Sequence, residues 1–322
     1  MHRVICSGFA EPARLELRTE GTPSPGPGEV LVAVEAAGIG FVDNLIAKGL
    51  YQVRPPLPYT PGLTAAGHVA AVGAGVTSPV VGDRVAVLLT GYGGCASHLL
   101  RPAGTVVPIP DEVSADIAAT AIENYGTVLY AVTERVVIRP GTAVVVLGAG
   151  GGIGLAAVDV ARALGARVVA VASTEAKRAA ALAAGAHTAL GYENLKNGIR
   201  EATGGGADVV VDPVGGEATE QALRALAAGG TLCVIGFASG GIPRLPANVV
   251  LLRNRSVVGV DWGDWSREDE GAARELVRDM LSRIAGGEIH PPVPEPVAFA
   301  DAAAAFGRID RGEVVGKLVL RP

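Results

Sequence analysis

The sequence predicts an α/β chain in which a β-rich, turn-rich segment precedes a doubly wound parallel sheet. Three observations carry this. Between residues 143 and 237, short apolar runs ("AVVVLG", "RVVAVAS", "DVVVD", "TLCVIGF") alternate with Ala-rich stretches of helical periodicity. These runs are continuously apolar, as in strands buried on both faces. Residues 1–110, by contrast, are cut by Gly and Pro into many short β-branched pieces.

Taken in order, "HRVICSG", "ARLELRTE" and "EVLVAVEAAGI" read as strands, with "GTPSPGPG" dividing the second from the third. "HVAAVGAGVTSPVVGDRVAVLL" adds further short strands broken at Gly, Pro and Gly-Asp, which together suggest a compact, partly open barrel. The texture changes near Asp111. "SADIAATAIENYGTVLYAVTERV" is apolar at helical spacing and is stopped by "RPG". The helices that follow end at Gly165, Gly185 and Gly229, each suited to the left-handed residue just past a helix. Strand, helix and strand repeated this way give a right-handed parallel sheet. Beyond "RSVVGVDWG" come one charged helix, "REDEGAARELVRDMLSRIAGG", a Pro-rich connector and a closing strand, "VVGKLVLRP". The expected domains are 1–122, 123–260 and a tail, 261–322, that returns to the first.

Composition narrows the function. With 49% apolar and 18% charged residues the chain is globular. A net charge of −5 and scattered basic residues argue against nucleic acid as a partner. Cys6, Cys95 and Cys233 are distant from one another and form no C-x-x-C pair, so neither a disulfide framework nor a structural zinc lobe is expected. The opening "MHRVICSGFAEPARLELR" meets Glu11 too early for a secretory signal, and a reducing cytoplasm is the expected location. Residues 142–158 lack charge, but glycine occupies their middle and Asp159 ends them, so no membrane span is expected.

The chemistry centres on "VVVLGAGGGIGLAA", residues 144–157. Gly148, Gly151 and Gly154 recur at three-residue intervals between a predicted strand and a predicted helix, the setting a dinucleotide pyrophosphate requires. Glycine lets backbone approach the phosphates, and the free N–H groups of the helix opening at Ile153 point at them. An NAD site usually puts an acid at the end of the next strand, where this chain has Ala172 and Ser173, with Lys177 and Arg178 one turn on. A hydroxyl and a cation suit the 2′-phosphate of NADP(H); Glu175 keeps an NAD ribose as the alternative. No nucleophile elbow accompanies Ser97-His98, so hydrolysis is set aside.

"GTAVVVLGAGGGIGLAAVDVARALGARVVAVASTEAK", "TGGGADVVVDPVGG" and "GGTLCVIGFASGGIPRLPAN" resemble the zinc-independent quinone oxidoreductase (zeta-crystallin-like) branch of the medium-chain dehydrogenases/reductases. "AAGIGFVDNLIAKGLYQ", "LPYTPGLTAAGHVAAVG", "VGDRVA" and "GKLVL" extend the resemblance over nearly the whole chain. It implies a GroES-like catalytic domain built from both ends around a central Rossmann domain, and a homodimer paired through a Rossmann edge strand, "TLCVIGF" or "SVVGVDW". Carried over position by position, it puts Thr127 against the nicotinamide and Gly151, Gly152 and Ile153 at the pyrophosphate. Ser173 and Lys177 would hold the 2′-phosphate, with Tyr192 near the adenine-side ribose. Gly236, Phe237, Ala238 and Trp262 would close the nicotinamide end.

Where the zinc enzymes of this superfamily carry a Cys and a His-Glu pair, this chain has Gly40, Leu63 and Thr64, so no metal is expected. The branch usually has Asn at the place of Gly40 and often Glu at that of Thr64. These departures leave substrate choice less transferable than cofactor choice. The implied activity is hydride transfer from NADPH to a quinone or related conjugated carbonyl. The alternatives are an enoyl or alkenal double-bond reductase and a non-enzymatic, crystallin-like NADPH-binding protein. Tyr51 is the candidate proton donor or hydrogen-bond anchor, with Tyr59 and Tyr125 behind it; a packing role is the alternative for each. Asp43 reads as an orienting carboxylate rather than a base.

Overall fold

The computed structural model describes residues 1–89 and 92–322. The chain divides into two compact units, Met1–Glu123 with Ser266–Gly286 and Val293–Pro322, and Asn124–Trp265 with Gly287–Pro292.

The first unit opens with an antiparallel pair, β1 (His2–Gly8) and β2 (Arg14–Thr19). Strand β3 (Glu29–Ile39) is followed by helix α1 (Phe41–Lys48), then β4 (Thr64–Val72), β5 (Arg84–Leu88), β6 (His98–Pro102), β7 (Val106–Pro108) and α2 (Ala115–Tyr130), whose residues from Asn124 on belong to the second unit. The eleven residues of β3 are long enough to serve several partners. β4 lies along its length and β6 pairs with Glu29–Ala33. A valine cluster of Val30, Val32, Val69, Val85 and Val87 fills one side. Gly67 of β4 faces the β3 bulge near Val34, where an added Cβ would overlap the Ala33 carbonyl oxygen.

The second unit alternates as the sequence predicts. It runs β8 (Ala143–Leu147), α3 (Gly152–Ala163), β9 (Arg167–Val171), α4 (Glu175–Ala183), β10 (Thr188–Leu190), α5 (Leu195–Thr203), β11 (Ala207–Asp212), α6 (Gly216–Ala225), β12 (Leu226–Val234), α7 (Ala247–Leu251) and β13 (Ser256–Gly259). All neighbours are parallel, in the order β10-β9-β8-β11-β12-β13. This is the expected Rossmann-type sheet, with Val145, Leu147, Val169, Val171, Val210 and Leu232 in its core. Gly165 and Gly185 occupy the expected places past α3 and α4. Each N–H donates to the carbonyl three residues back, and the next residue donates five back, closing a Schellman motif.

Two expectations are corrected. Gly229 does not end α6, which stops at Ala225. It lies instead inside β12, where three extra residues bulge out between the pairs Ala207↔Leu226 and Val209↔Thr231, and its positive φ serves that bulge. "TLCVIGF" is not an edge of the sheet, because β13 pairs outside β12; of the two strands expected at the edge, only "SVVGVDW" is there.

The charged tail forms two helices rather than one, α8 (Trp262–Glu268) and α9 (Glu270–Ala285). The Asp269 side chain accepts from the Ala272 N–H at 2.8 Å, and this cap opens α9 where a continuous helix was expected. Strand β14 (Glu295–Ala298), helix α10 (Ala302–Asp310) and strand β15 (Leu318–Arg321) complete the first unit. Its second sheet runs β14-β15-β3-β4-β5-β7, so the last strand pairs with β3 at Ala37–Ile39. Phe299, Phe306, Leu318 and Leu320 thereby join Ile39 and Ile46 in one core.

Gly67→Ala is predicted to lower folding stability by about 1–3 kcal/mol, since β3 backbone must move to admit the methyl group. Thermal melting checks this, and an unchanged midpoint would show that the two strands are not so closely apposed.

Candidate functional site: a glycine turn and a buried charge cluster

The glycine turn is shaped by what surrounds it. Strand β8 delivers Gly148, whose N–H donates to the Tyr192 phenol oxygen at 3.0 Å. The Gly151 N–H donates back to the Gly148 carbonyl at 3.0 Å, and Leu155 makes the first helical bond, to Gly151. Gly152, Ile153 and Gly154 therefore carry the unsatisfied N–H groups of the first turn of α3. An added Cβ at Gly150 would come within 2.6 Å of Lys177 Cγ. At Gly152 it would come within 2.8 Å of the Asn124 amide, and at Gly154 within 2.6 Å of Ala149 Cα. At Gly151 nothing but the Gly148 oxygen lies within 4 Å, at 3.6 Å. The turn is thus packed from below and open at Gly151, a cradle whose free donors and adjacent cation fit a dinucleotide diphosphate.

The rim follows from capping. Thr174 accepts from the Lys177 N–H at 3.2 Å, which fixes Lys177 in the first turn of α4 with its stem against Gly150. Ser173 is exposed beside it. Arg178 donates to the carbonyls of Ala172 at 3.1 Å and Ser173 at 3.4 Å, a second cation at the same strand end. Tyr192 is half-buried with its phenol pushed up by burial, so it stays neutral and pins the turn.

The remaining expected contacts fall into two groups within this unit. Ala238 donates to the Pro213 carbonyl at 3.0 Å and Gly236 to Asp212 at 3.3 Å, which latches the loop carrying half-exposed Phe237 onto the end of β11. Asp212 braces that end, accepting from the Val214 and Gly215 N–H groups and from the Thr219 hydroxyl. Trp262 is buried in an aromatic cluster with Tyr130 and Trp265. Its ring lies 3.0 Å from where a Gly126 Cβ would stand, next to buried Thr127.

In the first unit Tyr51 is partly buried against the Ile39–Leu318 core. Tyr59 is buried among Cys6, Asp43 and Cys95, and burial raises its phenol far out of the range of a proton donor. Tyr125, in the second unit, is buried and donates to Asp159 at 2.9 Å, a structural link between α2 and α3. Thr64 is also structural: its hydroxyl donates to the Ala119 carbonyl at 2.6 Å. Asp43 orients backbone as expected, accepting from Gly40 at 2.8 Å and Gly62 at 3.0 Å. Burial pushes its carboxyl up to about 7, with the Glu123 carboxylate adding to the rise and the Lys317 ammonium opposing it.

Sequence reasoning did not single out Asn124, Glu123 or Lys317. Glu123 and Lys317 form an ion pair at 2.6 Å, mostly buried, directly beside Gly40. The available signal was a Glu-Asn pair in the middle of an otherwise apolar stretch of α2. Among the described residues, no three His, Cys, Asp or Glu side chains cluster as metal ligands, and no helix is long and apolar enough to cross a membrane.

This sheet, turn and antiparallel unit define a dehydrogenase/reductase of the medium-chain kind. Residues 26–111 match the alcohol dehydrogenase GroES-like domain family and residues 152–279 the zinc-binding dehydrogenase family. The chain is 35% identical over 321 residues to quinone oxidoreductase-like protein 2 of Rattus norvegicus, covering 98% of this chain and 91% of the rat protein. Among solved structures, quinone oxidoreductase from Thermus thermophilus, described with its NADPH complex, matches with a TM-score of 0.86 at 35% identity, covering both chains fully. Escherichia coli quinone oxidoreductase complexed with NADPH matches with a TM-score of 0.90 at 29% identity, again over both full chains. The chain belongs to the quinone oxidoreductase branch of the medium-chain dehydrogenase/reductase superfamily.

Asp43 yields a pH prediction. A folded carboxyl that keeps its proton up to about 7, against 3.8 ordinarily, binds more protons than the unfolded chain between those values. Its contribution to stability is present at low pH and lost as pH rises through that window. The melting temperature of wild type, taken relative to that of Asp43→Asn, should therefore fall as pH is raised from about 4 to about 7, because the amide does not titrate. A wild type that gains on the variant over that range would show that the ionised form is the one the fold favours.

Proposed function

We propose that this protein is an NADPH-dependent reductase that passes a hydride to a quinone or related conjugated carbonyl without zinc. The observation that carries the reading is the crowded glycine turn with the Lys177 stem packed on Gly150, at a strand end that has no acid. NADPH, when bound, supplies a hydride and leaves as NADP⁺; the acceptor, that hydride and one solvent proton make the hydroquinone or saturated carbonyl.

The chain's own residues divide the remaining work. Free N–H groups at Gly152 and Ile153 meet the diphosphate, and Gly151 leaves space for it. Lys177 and Ser173, with Arg178 close by, meet the 2′-phosphate, where a carboxylate would repel it. Thr127, Gly236, Phe237, Ala238 and Trp262 form the nicotinamide side. Tyr51 is the hydrogen-bond anchor for the acceptor, since Tyr59 and Tyr125 are held in packing. A conjugated acceptor spreads incoming charge over its π-system and so needs less Lewis-acid help than a simple carbonyl. That agrees with Gly40, Leu63 and Thr64 at the positions where zinc enzymes of the superfamily carry ligands. The same reading carries a homodimer formed through the edge strand β13, near which Leu251, Leu252 and Val257 are exposed.

Lys177→Ala should weaken NADPH binding by about 1.5–3 kcal/mol, roughly tenfold or more, while leaving NADH affinity unchanged. Cofactor fluorescence titration measures both constants. Equal losses for the two cofactors would remove the phosphate assignment. Turnover of a naphthoquinone at least about tenfold better than that of a simple enone is expected, and the reverse order would make the protein a double-bond reductase.

A further inference from the structure

We propose that Arg200, Arg224, Arg253 and Arg255 form a second anion site on the Rossmann-type unit, one that takes the phosphates of a small di- or triphosphate. The site lies wholly within the second unit and is independent of the reductase reading.

Its place follows from the topology. The strands of this sheet all run parallel, so every strand starts at one end and finishes at the other. The glycine turn follows the last residue of β8 and stands at the finishing end. Arg200 and Arg224 occupy the last turns of α5 and α6, the helices that lead into β11 and β12. Arg253 and Arg255 come just before β13. The four arginines therefore stand at the starting end, across the sheet from the cofactor turn.

Hydrogen bonds bring these charges together. The Arg224 carbonyl accepts from Arg200 Nη2 at 2.9 Å and from Arg255 Nη2 at 3.4 Å. Two guanidinium groups thus converge on one oxygen, in the residue that carries a third. Arg255 also donates to the carbonyls of Leu226 at 2.7 Å and Val249 at 3.2 Å. The turn that brings in Arg253 leans on the β12 bulge, where the Gly229 N–H donates to the Arg253 carbonyl at 2.8 Å.

Helix capping explains those bonds but not the charge. One cation over the last carbonyls of a helix is favourable. Here burial pushes the Arg255 guanidinium down from its usual range, and Arg253, Arg200 and Arg224, all of the same sign, push it further. Among the described residues no carboxylate pairs with any of the four. Arg255 is only 8% exposed, and its Nε–H, like that of Arg200, is buried with no acceptor among the described residues. A buried donor left unmade is costly, and a guanidinium has no neutral form to retreat to. Arg224 and Arg253 are exposed, so the cluster has a buried floor and an open rim.

The donors select the ligand. Guanidinium forks match phosphate oxygens two at a time. A multiply charged diphosphate offsets several cations at once, where a carboxylate offsets one. A net charge of −5 over the chain disfavours a nucleic acid polymer and leaves a small free anion.

The test follows the arginine Nε–H resonances of the ¹⁵N-labelled full chain while inorganic pyrophosphate is added at constant ionic strength. The Arg200 and Arg255 signals should shift saturably and with one dissociation constant. Arg224→Gln/Arg253→Gln, which alters only exposed side chains, should weaken binding at least about tenfold. Lys177→Ala, at the other end of the sheet, should leave it within about twofold. ADP is the second arm. Signals that move at lower ADP than pyrophosphate make the ligand a nucleotide, and the reverse order makes it an inorganic diphosphate. Without ligand, Arg224→Gln should melt no lower than wild type, because it removes a like charge and no ion pair. A lower midpoint would make that side chain structural and overturn the inference. Unmoved signals, a constant unchanged in the double variant, or binding lost in Lys177→Ala would overturn it equally.

Discussion

The absence of room for a Cβ beneath the glycine turn is the constraint on which the site depends. Gly150 lies on Lys177, Gly152 on Asn124 and Gly154 on the backbone of the turn itself. Each contact ties the turn to a different element: α4, α2 and the start of α3. Tyr192 adds a fourth from the loop after β10. A loop that is only flexible needs no such bracing. The glycines here are small because their neighbours are close, and that closeness makes the backbone donors a fixed surface rather than a mobile one.

The same substitution of space for side chain recurs in the first unit. At position 40 the missing side chain is matched by a buried ion pair from α2 and the stretch before β15. Read from sequence, Gly40 looks like a polar group lost. The structure shows the space occupied by two residues more than 80 and 270 positions away. Thr64 has a comparable history: its hydroxyl belongs to the Ala119 carbonyl, so its departure from the family pattern is a packing matter.

Much of the fold was legible because it rests on local signals. Continuous valine runs, Ala-rich helices and the glycines at 165 and 185 each act within a few residues, and the parallel sheet follows from them. Gly229 misled because a glycine inside a bulged strand and one past a helix look alike in sequence, and only pairing with β11 separates them. The order of β12 and β13 was likewise a matter of pairing. In the site, the turn and Lys177 were legible because strand, glycines and cation are close in the chain. Glu123 and Lys317 were not, since 194 positions separate them and only the folded chain brings them together. Tyr59 and Tyr125 were set behind Tyr51 as proton donors, but residue type says nothing of burial. One is sealed beside two thiols, and the other is bonded to Asp159.

The central claim is that the rigid turn itself, through its backbone, grips the cofactor's diphosphate. The most direct measurement is an NMR titration of the ¹⁵N-labelled protein with NADPH, following the glycine amides of the turn. Saturable downfield proton shifts at Gly152 and Gly154, with the Gly148 amide still bonded to Tyr192, are the expected result. Saturation of NADPH fluorescence with those amides unmoved would contradict the account, because the cofactor would then be held somewhere else.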